Sequence, residues 1–190
     1  MIALWGIVLG IVVGLVRGGS FDNLGTLHLR GLILVFAALG LQSLIFPTLW
    51  WSIPPLSWMP QVWHILSYVL LIVFLFANRK LPQLWGIAAG VMLNIIVISA
   101  NQGFMPSNLD ALAASGYPET AELLARSDGG NIRNIIAMGP DTRLNFLGDW
   151  LYLPPWVPFG VSFSPGDLIL MIGVFWLIQH AMVVRNTGRS

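Results

Sequence analysis

Residues 84–100 read Leu84-Trp-Gly-Ile-Ala-Ala-Gly-Val-Met-Leu-Asn94-Ile-Ile-Val-Ile-Ser-Ala100, an uncharged run whose one strongly polar side chain is Asn94. A helix gains about 1.5 Å per residue, so about 17–25 apolar residues cross the hydrocarbon of a bilayer. Four further stretches of the same kind lie at 2–16, 31–46, 62–77 and 168–184. The first lacks the basic leader of a secretory signal, and Arg17-Gly-Gly follows it instead of a small-residue cleavage site. It is therefore expected to stay as a helix.

Composition agrees with this pattern. Hydrophobic residues make up 56% of the 190 and charged residues 9%, against about 25% charged in soluble domains. So few charges cannot cover a soluble surface, and no basic face is available for nucleic acid. An ordinary soluble enzyme, a disordered regulator and a nucleic-acid binder are excluded. The absence of cysteine excludes disulfides, thiolate metal sites and cysteine nucleophiles. The expected fold is an all-α integral membrane protein. Residues 1–100 supply four transmembrane helices, 101–165 a small helical extracytoplasmic cap, and 166–190 the fifth transmembrane helix with a cytoplasmic tail.

Orientation follows from the basic residues, which favour the cytoplasmic side. Arg17, Arg30, Arg79, Lys80, Arg185 and Arg189 fall on one side if all five stretches span, and the loop Phe46–Gln61 carries none. Arg126, Arg133 and Arg143 belong to the long segment 101–165. Of the acids only Asp22 lies on the basic side; Asp110, Glu119, Glu122, Asp128, Asp141, Asp149 and Asp167 lie opposite. The N-terminus is thus expected outside and the C-terminus in the cytoplasm.

Within the spans, Gly6, Gly10 and Gly14 share one helix face, as do Gly86 and Gly90. Small residues let backbones approach closely in lipid, so intramolecular helix packing is the reading preferred over a dimer interface. No Asp, Glu, Lys or Arg sits in mid-membrane, and five helices do not divide into inverted halves, which disfavours an ion-coupled transporter. Of the three histidines, His28 falls in the first loop and His64 and His180 at helix ends, so they do not pair at matching depth as haem ligands would. No cofactor and no metal are expected. The loop around Trp50, Trp51, Trp58 and Trp63 is rich in proline and reads as an interfacial lid or as a lipid- or pigment-binding aromatic surface.

The segment 101–165 has the composition of a soluble protein. Ser107-Asn-Leu-Asp110 reads as a capping box, with Gly116 ending the first short helix and Pro118 opening a second. Leu109, Leu112, Ala113, Leu123 and Leu124 are expected to face the membrane surface, and 128–145 to form an exposed loop. Asp149 follows an apolar run, and Asp167 stands at the outer mouth of the last helix. A proline-rich loop between them could bring the two carboxylates together, where they would split their pKa values into an acid and a base. Both also have structural readings. Ser164, Pro165 and Asp167 match N-cap, N1 and N3 of a helix start, and Asp149 could pair with Arg143 or accept backbone hydrogen bonds.

The runs Arg17-Gly-Gly, Ala77-Asn-Arg-Lys-Leu-Pro82, Ala100-Asn-Gln-Gly-Phe-Met-Pro106, Phe146-Leu-Gly-Asp149 and Phe163-Ser-Pro-Gly-Asp167 resemble a family of bacterial multi-pass membrane proteins of unknown function. That resemblance implies location in the bacterial cell (inner) membrane and implies no activity. Phe163-Ser-Pro-Gly-Asp167 is also similar to the Phe-Asn-x-Ala-Asp motif of lipoprotein signal peptidases, in which a second catalytic aspartate precedes at about the spacing of Asp149. Asn101-Gln-Gly is similar to their Asn-x-Gly motif. Ser164 replaces the motif asparagine, and no Gly-Asn-x-x-Asp-Arg segment precedes Asp149.

Two functions follow as expectations. The first is a non-enzymatic binder of lipid or a small ligand, or an accessory subunit of a membrane complex. It would use Asn101, Phe104, Trp50, Trp51, Trp58 and Trp150 as its ligand or partner surface, with the bilayer and other membrane proteins as partners. The second, implied by the peptidase resemblance, is an outward-facing aspartyl hydrolase with Asp149 and Asp167 as its acid/base pair.

Overall fold

The structure, a computed structural model, describes residues 2–25, 27–45, 60–158 and 160–183. Trp50, Trp51 and Trp58, the rest of their loop, and Arg185 and Arg189 lie outside the described residues. The apolar stretches fold as helices: α1 (Ala3–Val16), the single turn α2 (Phe21–Leu24), α3 (Leu32–Ile45), α4 (Pro60–Ala77) and α5 (Trp85–Ala100). After them come two short helices, α6 (Leu109–Ala114) and α7 (Pro118–Arg126), and then the long α8 (Pro165–Val183). Among the described residues two segments are long and apolar enough to cross a membrane, Pro82–Ala100 and Pro165–Val183. Ala3–Val16, Leu32–Gln42 and Val62–Ala77 are shorter apolar helices.

Helix α8 is the centre of the packing, with α1 and α5 against it, while α3 pairs with α4 and α4 meets α5. Glycines set these approaches. A Cβ on Gly6 would lie 2.5 Å from the Met171 carbonyl oxygen, one on Gly10 3.0 Å from Ile178, and one on Gly14 2.6 Å from the Met182 sulfur. Gly86 faces Gly173, and Gly90 faces Gly166 and Leu170. Both glycine stripes thus lie against α8 of the same chain. Polar side chains within the helices bond across them: Gln42 Nε2 to Ser67 Oγ at 3.1 Å, Asn94 Nδ2 to the Tyr68 hydroxyl at 3.2 Å, and Gln179 Nε2 to the Gly10 carbonyl. Such bonds satisfy polar groups among apolar side chains.

The five long helices alternate in direction. Trp5 Nε1 donates to the Pro158 carbonyl, so α1 begins beside the segment that follows α5. At the other end Arg17 Nη1 reaches Gln179 Oε1 at 2.8 Å, near the end of α8. Arg30 at the entry to α3 bonds Asn78 at the exit of α4.

Residues 101–164 form a cap that mixes helix with small sheets, a correction to the purely helical expectation. Strands β1 (Met105–Ser107), β2 (Asn131–Ile132) and β3 (Ile135–Ala137) make one sheet in the order β1-β3-β2, β1 parallel and β2 antiparallel to β3. Strands β4 (Leu151–Tyr152) and β5 (Ser162–Phe163) pair antiparallel. The stretch 128–145, expected as an exposed loop, therefore contributes two strands, and Asn134 in its turn is buried. Leu112, Ala121 and Leu124 make a small core, with Leu109, Ala113 and Ile135 packed against it. Leu112 and Leu124 thus face this core and not outward; Leu123 is exposed. The N-cap of α6 is Asn108, whose Oδ1 accepts from Ala111 N at 2.9 Å. Ser107, expected in that role, is taken up by β1, and asparagine caps as well as serine does. Gly116, at φ +101, occupies the left-handed position after α6, and Pro118 opens α7.

Candidate functional site at the junction of cap and helices

The register of the β4–β5 hairpin, Leu151 opposite Phe163 and Tyr152 opposite Ser162, brings the chain before β4 beside the chain after β5. Asp149 and Asp167 sit on those two ends. Asp149 is held by its backbone: its N–H donates to the Pro106 carbonyl at 2.8 Å, and its carbonyl accepts from Asn108 N at 2.9 Å. It therefore forms a parallel bridge with Ser107 at the free edge of β1. Gly148 permits this, since a Cβ there would stand 2.5 Å from the Pro106 oxygen.

Asp167 closes a reciprocal cap on α8. Its backbone N–H donates to Ser164 Oγ at 3.0 Å, and its Oδ2 accepts from Ser164 N at 3.2 Å, so the N-cap and N3 positions read from the sequence close on each other. Its other oxygen, Oδ1, accepts from Asn94 Nδ2 at 2.7 Å. Asn94 is fully buried and also accepts from Ser164 Oγ at 2.8 Å. Gly166 lets that amide approach α8, because any Cβ there would run into Asn94 Oδ1. Asn94 thus ties α4, α5 and the start of α8 into one polar knot. Tyr68 lies within electrostatic reach of both carboxylates, and His64 of Asp167. The rings of His64 and Tyr68 meet edge to face, with centroids 5.3 Å apart.

Asp149 differs from Asp167 in its satisfaction. Its Oδ1 is enclosed and has no hydrogen-bond partner in the protein. Burial, and next the repulsion of Asp167, hold its carboxyl pKa well above the ordinary carboxylate range. Ser107 Oγ, on the strand bridged to Asp149, is likewise buried without a protein partner. Buried polar atoms are ordinarily paired, so two orphans on bridged residues single this junction out. Chemically, the junction offers an enclosed carboxyl with a raised pKa within electrostatic reach of Asp167, whose two oxygens accept from Asn94 and Ser164.

The other residues singled out by sequence are distributed differently. Asn101 is buried, and its side chain donates to the Val97 and Arg143 carbonyls and accepts from Arg143 N, each at 2.8 Å. It clamps the cap to α5 and has no donor left for a ligand. Phe104 is half-buried. Trp150 is exposed, and its Nε1 donates to the Phe146 carbonyl at 3.0 Å. Arg143 makes no ion pair with Asp149 among the described residues; the pair recorded there is Arg126–Glu122. Sequence reading did not assign Asn94, Tyr68, His64 or Ser107 to a site. Asn94 could have been found as the lone amide in its apolar run.

A family model matches residues 26–179, described as a family of unknown function, DUF5317. The chain belongs to the DUF5317 family. None of the curated proteins or solved structures compared with it matches. The DUF5317 match spans His64, Tyr68, Asn94, Ser107, Asp149 and Asp167. The glycine face of α1 lies before it. Among the described residues no group of three or more histidine and acidic side chains is arranged to hold a metal ion.

Proposed function

We propose that this DUF5317 chain is a five-span membrane protein, with its N-terminus and cap outside. In this reading its cap–helix junction binds a small ligand or lipid head group through Asp149 and Asp167. The membrane reading is supported by uncovered apolar surface. Only 33% and 28% of the most apolar windows of Pro82–Ala100 and Pro165–Val183 are buried. On the shorter helices Val16, Ile33, Phe36 and Phe76 are also exposed. A core helix of a soluble protein would not leave such residues in water. Alternating helix directions and the one-sided basic residues support five passes and the stated orientation.

The observation that carries the binding reading is the enclosed, unpartnered Asp149 Oδ1 next to the unpartnered Ser107 Oγ on the neighbouring strand. A ligand hydroxyl or amide would satisfy both. Native mass spectrometry of protein extracted in mild detergent tests this. Wild type and Asp149→Asn, which keeps a neutral hydrogen-bonding group, should retain a bound small molecule. Asp149→Leu should lose it by about tenfold or more, the scale of one lost buried hydrogen bond. Equal retention by Asp149→Leu contradicts the reading.

Hydrolysis is the second reading, favoured by the electrostatic coupling of the two carboxylates. Asp149 would be the acid and Asp167 the base that activates water at a membrane-embedded substrate. Asn at position 149 cannot transfer a proton. Turnover of a lipidated peptide by wild type, abolished in Asp149→Asn with the protein still folded, would favour hydrolysis over binding.

A further inference from the structure

At the opposite end of the helices from the cap, His28, Arg30, Asn78, Arg79 and Lys80 line a cavity of about 370 Å³. We propose that this cavity binds the phosphate of an anionic phospholipid head group. The positive-inside rule accounts for basic residues at this end; it does not require that they converge on a concavity with a fixed backbone.

Here the backbone is fixed by one buried amide. Asn78 Oδ1 accepts from Arg30 N, and Asn78 Nδ2 donates to the Arg30 carbonyl, both at 2.8 Å. The same Nδ2 also donates to the Phe74 carbonyl of α4 at 2.8 Å. The Arg30 backbone is thereby fixed beside the chain that carries Arg79 and Lys80, although 48 residues separate it from Asn78. The Arg79 guanidinium stands 4.4 Å from the Phe76 ring centroid, which fixes its side chain over an apolar surface. No carboxylate is paired with Arg30, Arg79 or Lys80 among the described residues. Three cations gathered without a counter-charge repel one another, and an anion relieves that repulsion. Arginine suits phosphate by its forked donors and lysine as a point charge. The cavity volume is at the scale of small-ligand sites, about 300–1,000 Å³. Exposed Phe76 and Leu32 nearby offer an apolar wall to acyl chains, which free phosphate does not need. Basic pockets between helices at a membrane boundary recognise anionic head groups in this way.

This inference rests on the membrane reading and is independent of the cap junction. Full-length protein is inserted into nanodiscs of mixed phosphatidylglycerol and phosphatidylcholine, and the lipid retained on release is measured by native mass spectrometry. Wild type should retain phosphatidylglycerol preferentially. The combined Arg30→Gln, Arg79→Gln and Lys80→Gln variant should lose about tenfold of that preference. Lys80→Gln alone should lose part, and Lys80→Arg should restore it, which separates loss of charge from misfolding. Competition by inorganic phosphate at concentrations matching the lipid would assign the site to free phosphate and overturn the lipid proposal. Unchanged preference in the combined variant, or none in wild type, also overturns it while leaving the membrane reading intact. Failure to enter nanodiscs overturns both.

Discussion

Asn94 donates to Asp167 at 2.7 Å from the middle of an apolar helix to the first turn of another. That bond joins the helix bundle to the cap, because Asp167 and Ser164 also set the start of α8. Replacing Asn94 by leucine keeps the branched shape but removes the donor to Asp167 Oδ1 and the Tyr68 hydroxyl and the acceptor for Ser164 Oγ. The expected cost is about 2–5 kcal/mol, from the roughly 1–3 kcal/mol of each buried group left unpaired, with more for a charged one. Thermal unfolding in detergent checks this. A melting temperature unchanged in Asn94→Leu contradicts the knot.

Gly166 is tested from the other side of the same contact. Alanine at 166 must displace Asn94, so Gly166→Ala should destabilise by about 1–3 kcal/mol, as overpacking does. Gly40 on α3 has no atom within 4 Å of an added Cβ, and Gly40→Ala should be neutral or slightly stabilising. Equal melting temperatures for the two variants would remove Gly166 from its role.

The pH dependence of stability follows from Asp149. Its folded-state pKa is raised by burial and by Asp167, so folded protein holds a proton that unfolded protein releases. Below the ordinary carboxylate range both states are protonated and there is no penalty. As pH rises above that range, stability falls by up to about 1.4 kcal/mol per pH unit until the folded carboxyl also ionises. Asp149→Asn should flatten this slope and be more stable than wild type near neutrality. A parallel pH profile for the two proteins contradicts a raised pKa.

Orientation is open to a clean test, because the chain has no cysteine of its own. Glu122 on α7 and Lys80 after α4 are both exposed. A membrane-impermeant maleimide applied to intact cells should label Glu122→Cys, and label Lys80→Cys only after permeabilisation. The reverse pattern inverts the topology, and equal labelling of both argues against five passes.

Much of this molecule is legible in one dimension. Long apolar runs and the glycine faces carry periodicity and composition, which a single sequence displays. The return of the chain between Asp149 and Asp167 was also legible, since a proline-rich loop between two short apolar runs implies it. Strands of two or three residues leave no alternation to detect, so β2 and β3 were hidden in a glycine- and asparagine-rich stretch. The bond between Asn101 and Arg143 spans 42 residues, and no local pattern encodes it; Asn101 therefore read as a ligand residue. Asn94, Tyr68 and Ser164 meet because three helices cross at one depth. Depth is a property of packing that spacing along one helix does not record. Ser107 and Asn108 are equally good caps, and the choice between them was made by β1.

At the cap–helix junction Asp149 should titrate well above the ordinary carboxylate range, because it is buried and is repelled by Asp167. Infrared difference titration of the full chain in lipid reads this directly, through the carbonyl stretch of a protonated carboxyl. That band should persist well above the pH at which ordinary carboxylates ionise. It should vanish in Asp149→Asn and titrate at lower pH in Asp167→Asn, where the repulsion is gone. Ionisation of Asp149 in the ordinary range, with no change on replacing Asp167, would contradict the coupled pair and the site built on it.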